Sequence, residues 1–128
     1  MENRPAAVTS SLEETPAVDT GWGQLTWLVS AATMPGAEQT LGVVTIAPGR
    51  RNPLHAHPNC EELLYVVSGE CEHQLGDALY VLKPGSVIRI PRGVKHWARC
   101  TSAAPLVAVI SFSSPDRQTE NFDGGDPA

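Results

Sequence analysis

The chain lacks the marks of a nucleic-acid binder, a membrane protein or a disulfide scaffold. Its 9 Lys and Arg are outnumbered by 14 Asp and Glu, leaving a net charge of −5. That balance argues against nucleic acid as a partner. No apolar run is long enough to span a membrane, and Met1-Glu2-Asn3-Arg4-Pro5 leads into none, so neither a membrane anchor nor a secretory leader is expected. Only three cysteines occur, Cys60, Cys71 and Cys100, with no Cys-x-x-Cys among them. An odd, scattered set suits a reducing compartment, and a cytoplasmic protein is expected. There is no helical apolar stripe in the middle of the chain and no internal repeat.

What is present is a dense series of turns. Pro35-Gly36, Pro48-Gly49, Ser68-Gly69, Gly76-Asp77, Pro84-Gly85, Pro91-Arg92-Gly93 and Ala104-Pro105 punctuate short segments rich in Val, Ile, Leu and Tyr. The segments run 41–46, 61–67, 78–82, 86–90 and 106–112. Short strands at this spacing predict an all-β sandwich or barrel. With 128 residues, the chain is expected to form one domain around one core. Residues 1–20 and 115–128 mix polar residues, Pro and Gly without periodicity. They read as a flexible N-terminal arm and a flexible acidic C-terminal tail around a barrel domain at 21–114. Phe122 is a candidate anchor for the tail.

The chain has four histidines, and three of them fall into a pattern. His55 and His57 are two apart, so in an extended strand both side chains point to one face. Glu62 follows the Pro58-Asn59-Cys60 turn, and His96 follows Pro91-Arg92-Gly93. Three imidazoles and a carboxylate form a transition-metal ligand set. Imidazole suits Fe, Ni, Cu, Zn and Co, and the carboxylate extends the range to Mn. Isolated surface histidines would be the plainer reading, but a same-face pair with a downstream Glu and a third His argues against it.

Ser68-Gly69 as a two-residue hairpin turn would pair Val67 with Glu70, Val66 with Cys71, Leu64 with His73 and Glu62 with Leu75. Directly opposed residues share a face. His73 would then face inward beside Glu62, either as a core histidine satisfied by a neighbour or as a catalytic proton-transfer group. The opposite face of that strand carries Leu63, Tyr65 and Val67 and needs cover. The segment 21–29 could supply it, within the chain or from a twofold partner, and a homodimer is expected.

Gly49-(five residues)-His55-x-His57-(four residues)-Glu62-(six residues)-Gly69 resembles the first signature motif of the cupins. Gly85-(five residues)-Pro91-x-Gly93-(two residues)-His96 resembles the second up to its last position, where the family usually has Asn and this chain has Cys100. The resemblance spans roughly residues 41–112, and the two motifs lie fifteen residues apart, as in compact single-domain cupins. It implies a small double-stranded β-barrel (a jelly roll) holding a divalent metal, Fe or Mn first, among His55, His57, Glu62 and His96. Glu61 is the rival carboxylate, but only Glu62 has the six-residue gap to Gly69, and the resemblance implies that Glu61 lies outside. Cys100 reads as a buried inert thiol or as a redox-sensitive one.

Four protein ligands leave one or two coordination positions open on a five- or six-coordinate ion, as a catalytic metal requires. A small, oxygen-rich organic substrate could fill them. Arg50, Arg51, Arg89, Arg92, Lys95 and Arg99 flank the motifs. They form either a mouth attracting an anionic substrate, with Arg51 and Arg92 the candidate binding residues, or a solvated sheet edge. Three function classes follow in order. They are a dioxygenase-like metal oxidoreductase, an isomerase, lyase or decarboxylase using the ion as a Lewis acid, and a binding module without turnover. The absence of an attached DNA-binding segment ranks the sensor reading last.

Overall fold

The computed structural model of the chain describes residues 7–123. Eleven strands are formed among them: β1 (Val18–Asp19), β2 (Gly23–Val29), β3 (Thr40–Ile46), β4 (His55–Ala56), β5 (Glu62–Ser68), β6 (Cys71–Leu75), β7 (Ala78–Leu82), β8 (Val87–Ile90), β9 (His96–Cys100), β10 (Leu106–Phe112) and β11 (Glu120–Asn121). No helix occurs among the described residues. One sheet has the order β1-β2-β3-β10-β5-β8 and the other β11-β4-β9-β6-β7. All pairings are antiparallel. The protein is all-β, a cupin-like jelly roll of two facing sheets.

Alternation along each strand explains why the sheets pack. Thr40, Gly42, Val44 and Ile46 of β3, Leu64 and Val66 of β5, Ile88 and Ile90 of β8, and Leu106, Ala108, Ile110 and Phe112 of β10 turn inward. They meet Cys71, Leu82, Ala98 and Cys100 from the second sheet in one core. Each fully buried Leu or Ile contributes roughly 1.5–3 kcal/mol. The segments expected as strands at 41–46, 61–67, 78–82, 86–90 and 106–112 coincide with β3, β5, β7, β8 and β10 to within a residue.

The hairpin register at Ser68-Gly69 is not formed. β5 lies between β10 and β8, while β6 lies between β9 and β7 in the other sheet. The chain changes sheets at this turn because the Glu70 backbone is captured by the turn after β9. Its N–H donates to Ser102 Oγ at 2.9 Å, and its carbonyl accepts from Thr101 N–H at 3.0 Å. Gly69 has φ +77°, and a Cβ there would stand 2.5 Å from the Pro105 carbonyl oxygen, so the corner requires glycine. Inward parity survives the crossing: Glu62 faces in from β5 and His73 faces in from β6.

The N-terminal segment extends the first sheet through β2–β3 pairing and does not cover the outer face of β5. Leu63, Tyr65 and Val67 remain 42, 47 and 50% exposed. Beyond β10, where the sequence suggested a tail, residues 115–123 lie against the barrel. β11 pairs with β4, Phe122 N–H donates to Leu54 O, and Asp123 accepts from Leu54 N–H. Lys95 lies over the Phe122 ring at 4.3 Å, but the ring stays 42% exposed, so the bonds to Leu54 hold the segment and not a buried aromatic. The first six residues of the N-terminal arm and the last five of the C-terminal tail lie outside the described residues.

Candidate metal centre

The four candidate ligands converge at one end of the core. His55 lies in β4 with His57 just beyond it, Glu62 opens β5 and His96 opens β9. β4 pairs with β9 through His55 and His96 themselves. Gly93 in the turn before His96 has φ +78° and donates its N–H to the His57 carbonyl at 2.9 Å, tying the second motif to the first. One ligand atom from each of His55, His57, Glu62 and His96 lies within 4.8 Å of the others, and all four residues are buried.

Backbone carbonyls set the direction of each imidazole. His55 Nδ1 is 2.6 Å from Pro53 O, His57 Nδ1 is 2.9 Å from Gln118 O, and His96 Nδ1 is 3.0 Å from Val94 O. A carbonyl can only accept, so each Nδ1 carries the proton and each Nε2 presents a lone pair to the centre. His57 Nε2 and His96 Nε2 lie 3.2 and 3.3 Å from Glu62 Oε1, within ion-pair reach. None of these three buried atoms has a well-directed hydrogen bond. Lone pairs and an anionic oxygen aimed at a common point, rather than at each other's protons, fit a divalent cation. The set of three nitrogens and one oxygen suits a transition metal.

Burial pushes the Glu62 carboxyl up, and it falls below the usual carboxylate range only where N–H or positive charge faces it from the His57 and His96 side, the part a cation plays once each Nε2 offers a lone pair. Burial, helped by His96, depresses His55 to about 3, so this imidazole is in the deprotonated form that a metal needs.

The four ligands line a small cavity with Leu25, Val44, Ile46, Leu64, Ile110 and Phe112 as its apolar wall. The space open to a water molecule's centre is about 20 Å³, room for one or two waters. His73 also lines it, stacked on His96 with ring centroids 5.6 Å apart and planes 9° apart. Burial and His96 lower its pKa to about 4, so it is neutral near pH 7.

Of the two arginines singled out, neither lines the cavity. Arg51 pairs with Asp123 at 2.6 Å and lies over the Trp97 ring, and Arg92 is exposed. Glu61 points outward and pairs with Arg89 at 2.8 Å, as the family resemblance implied. Cys100 is fully buried, its thiol 3.4 Å from the Ala104 carbonyl.

Sequence reasoning missed two groups. Asn52 lines the cavity, and its Oδ1 accepts from Ala98 N–H at 2.8 Å, which turns the amide NH₂ the other way. Gln118 and Thr119 reach His57 from sixty residues downstream. No spacing rule exposes such contacts, since both come from segments without a strand pattern.

Residues 42–112 match the family described as Cupin domain. Germin-like protein 1 of Brassica napus is 34% identical over 107 residues, covering 72% of this chain and 52% of that protein. Oxalate oxidase 2 of Hordeum vulgare is 35% identical over 98 residues, 67% of this chain and 43% of that protein. The chain thus spans about half the length of these curated relatives. Among solved structures, Lactobacillus farciminis oxalate decarboxylase in its formate complex superposes with TM-score 0.80 at 21% identity, over 87% of this chain and 34% of that one. An oxalate oxidase in complex with the substrate analogue glycolate gives 0.78 at 26% identity, over 90% and 63%. With more than half of its length matched, on a fold and a ligand arrangement of that kind, the chain belongs to the cupin family.

Proposed function

We propose that the protein is a metal-dependent oxidoreductase acting on a small, oxygen-rich organic acid, with O₂ as co-substrate in a dioxygenase-like reaction. The carrying observation is the convergence of three imidazole lone pairs and one carboxylate oxygen, all buried, within 4.8 Å. His55, His57 and His96 would hold the ion, and Glu62 would offset part of its charge. Mn or Fe is the preferred ion, supported by the mixed nitrogen and oxygen donors and by the oxalate-oxidising relative. When bound, such an ion supplies a Lewis acid with open positions and one-electron redox capacity.

The surrounding residues define what this chain adds. A cavity of about 20 Å³, room for one or two waters, admits only a small substrate, which must displace part of the apolar wall to reach the ion's open positions. Asn52 lines the cavity, and its amide would donate to a substrate carboxylate. His73, neutral and adjacent, accepts a proton at an imidazole nitrogen. The apolar wall excludes water, which strengthens each of these polar contacts.

Decarboxylation without net oxygen use is the second reading, since the same open positions would let the ion act as a Lewis acid on a bound carboxylate. Metal analysis of protein purified without added metal, followed by turnover with oxalate and other two-carbon acids, tests both. Oxygen uptake with ¹⁸O from O₂ in the product supports a dioxygenase, and uptake with peroxide instead points to an oxidase. Formate and CO₂ without oxygen uptake select the decarboxylase. Tight binding without turnover of any acid leaves a binding module. If His55→Ala and His96→Ala variants retained as much metal as the parent, the proposed centre would be wrong.

We also propose a homodimer. Leu63, Tyr65 and Val67 on β5 and Val87 on β8 make an exposed apolar strip on the outer face of one sheet. Water contact there is unfavourable, and a twofold copy offers an identical strip as cover.

A further inference from the structure

The three histidine ligands are not held alike. His55 and His96 each donate Nδ1–H to a carbonyl two residues earlier, in the segment that leads directly into the strand, so their acceptors come with the local chain. The acceptor for His57 is Gln118 O, 61 residues further on, with Thr119 Oγ1 at 3.2 Å beside it. That segment has no barrel strand of its own at 115–119, so its placement needs another cause. Asn59 provides it. Its Oδ1 accepts from Gln118 N–H at 2.8 Å, and its Nδ2 donates to Asp116 O at 2.8 Å. β11 pairing with β4 secures the far side, and Arg117 donates to Thr119 Oγ1 at 2.6 Å within the segment.

We propose that Asn59 is a positioning residue for His57, acting through the 116–119 segment. The ligand and its clasp share one short turn, His57-Pro58-Asn59. The amide fixes the Gln118 carbonyl on one side of the imidazole so that the Nε2 lone pair faces the centre on the other. The inference rests on the reading of His57 as a metal ligand, and it assigns a task to a residue that supplies no ligand atom. Carbonyl and carboxylate partners behind a ligand histidine fix its tautomer and raise its basicity.

The test has one arm without metal and one with it. In metal-free, ¹⁵N-histidine-labelled protein, long-range ¹⁵N–¹H correlation reads each tautomer. The wild type is expected to show His57 protonated at Nδ1. Asn59→Ala is expected to move His57 towards a mixture with the Nε2–H form and leave His55 and His96 unchanged. Asn59→Asp keeps the acceptor for Gln118 N–H but sets a carboxylate oxygen against the Asp116 carbonyl, and is expected to give a tautomer mixture between those of the wild type and Asn59→Ala. With Mn²⁺ alone, Asn59→Ala is expected to bind about 10–100-fold more weakly. An unchanged His57 tautomer in a folded Asn59→Ala protein overturns the proposal, whatever happens to Mn²⁺. A shifted tautomer in a protein whose wild type binds no Mn²⁺ upholds the clasp and removes the metal reading instead. Should Asn59→Ala unfold, Asn59→Ser, too short to hold Asp116 and Gln118 together, carries the same expectation and the same refutation.

Discussion

Replacing Glu62 by Gln separates the demands of folding from those of metal binding. In the metal-free protein the carboxylate is buried and its Oε1 lacks a directed hydrogen bond, 3.2 and 3.3 Å from two imidazole nitrogens. An amide is nearly isosteric, carries no charge to desolvate, and can donate N–H to one of the Nε2 lone pairs. The metal-free variant should therefore be as stable as the parent or more so. Metal binding should move the other way. Loss of an outer hydrogen-bond partner alone costs about 10–100-fold in affinity, so loss of the only anionic ligand should cost at least about 100-fold. At a free Mn²⁺ concentration 100 times the parent's Kd, binding stabilises the parent by about 2.7 kcal/mol, and the variant by about 0.4 kcal/mol. For a domain of this size those values correspond to melting-temperature rises of about 10 °C and under about 2 °C. Thermal melts of both proteins with chelator and with Mn²⁺ measure all four states. An equal metal-induced rise in both proteins, or a metal-free variant that melts many degrees below the parent, would refute the assignment of Glu62.

Two further predictions follow from burial. His55 and His73 have folded pKa values lowered to about 3 and about 4, below their ordinary 6.5. The unfolded chain takes up these protons as pH falls below 6.5 and the folded chain does not, so stability is full above that value and declines towards pH 4. For His73 the loss reaches about 3 kcal/mol near pH 4. Denaturant unfolding of the metal-free protein at pH 7 and pH 4.5 should show it, and equal stability at both would contradict the neutral, buried state of these rings. Tyr65→Glu puts a charge at the centre of the exposed β5 strip while leaving the inward face untouched. Sedimentation should give a dimer for the parent and a monomer for the variant, and a monomeric parent would sink the homodimer.

Much of the site was legible because it depends on local parity and on turns. His55 and His57 share a face in any extended strand, and resemblance to the cupin motif, with its six residues between Glu62 and Gly69, chose Glu62 over Glu61, which indeed pairs outward with Arg89. The inward orientation of His73 was also legible, although by a pairing that does not exist. Two-residue periodicity fixes which side of its own strand a residue occupies, but not which strand lies next to it. The partner of β6 is settled by the Glu70 bonds to Thr101 and Ser102, contacts across thirty residues that leave no local trace.

The amino-acid order by itself determined an all-β chain, its main strands and a four-residue ligand set, because alternation, turn residues and histidine spacing act over a few residues. Tertiary structure alone decided three things. It aimed the Nε2 lone pairs through three backbone carbonyls, brought Asn52 to the cavity, and laid residues 115–123 against β4, where the sequence suggested only a tail. Each depends on hydrogen bonds between distant segments, whose partners exist only once the two sheets have closed on their core.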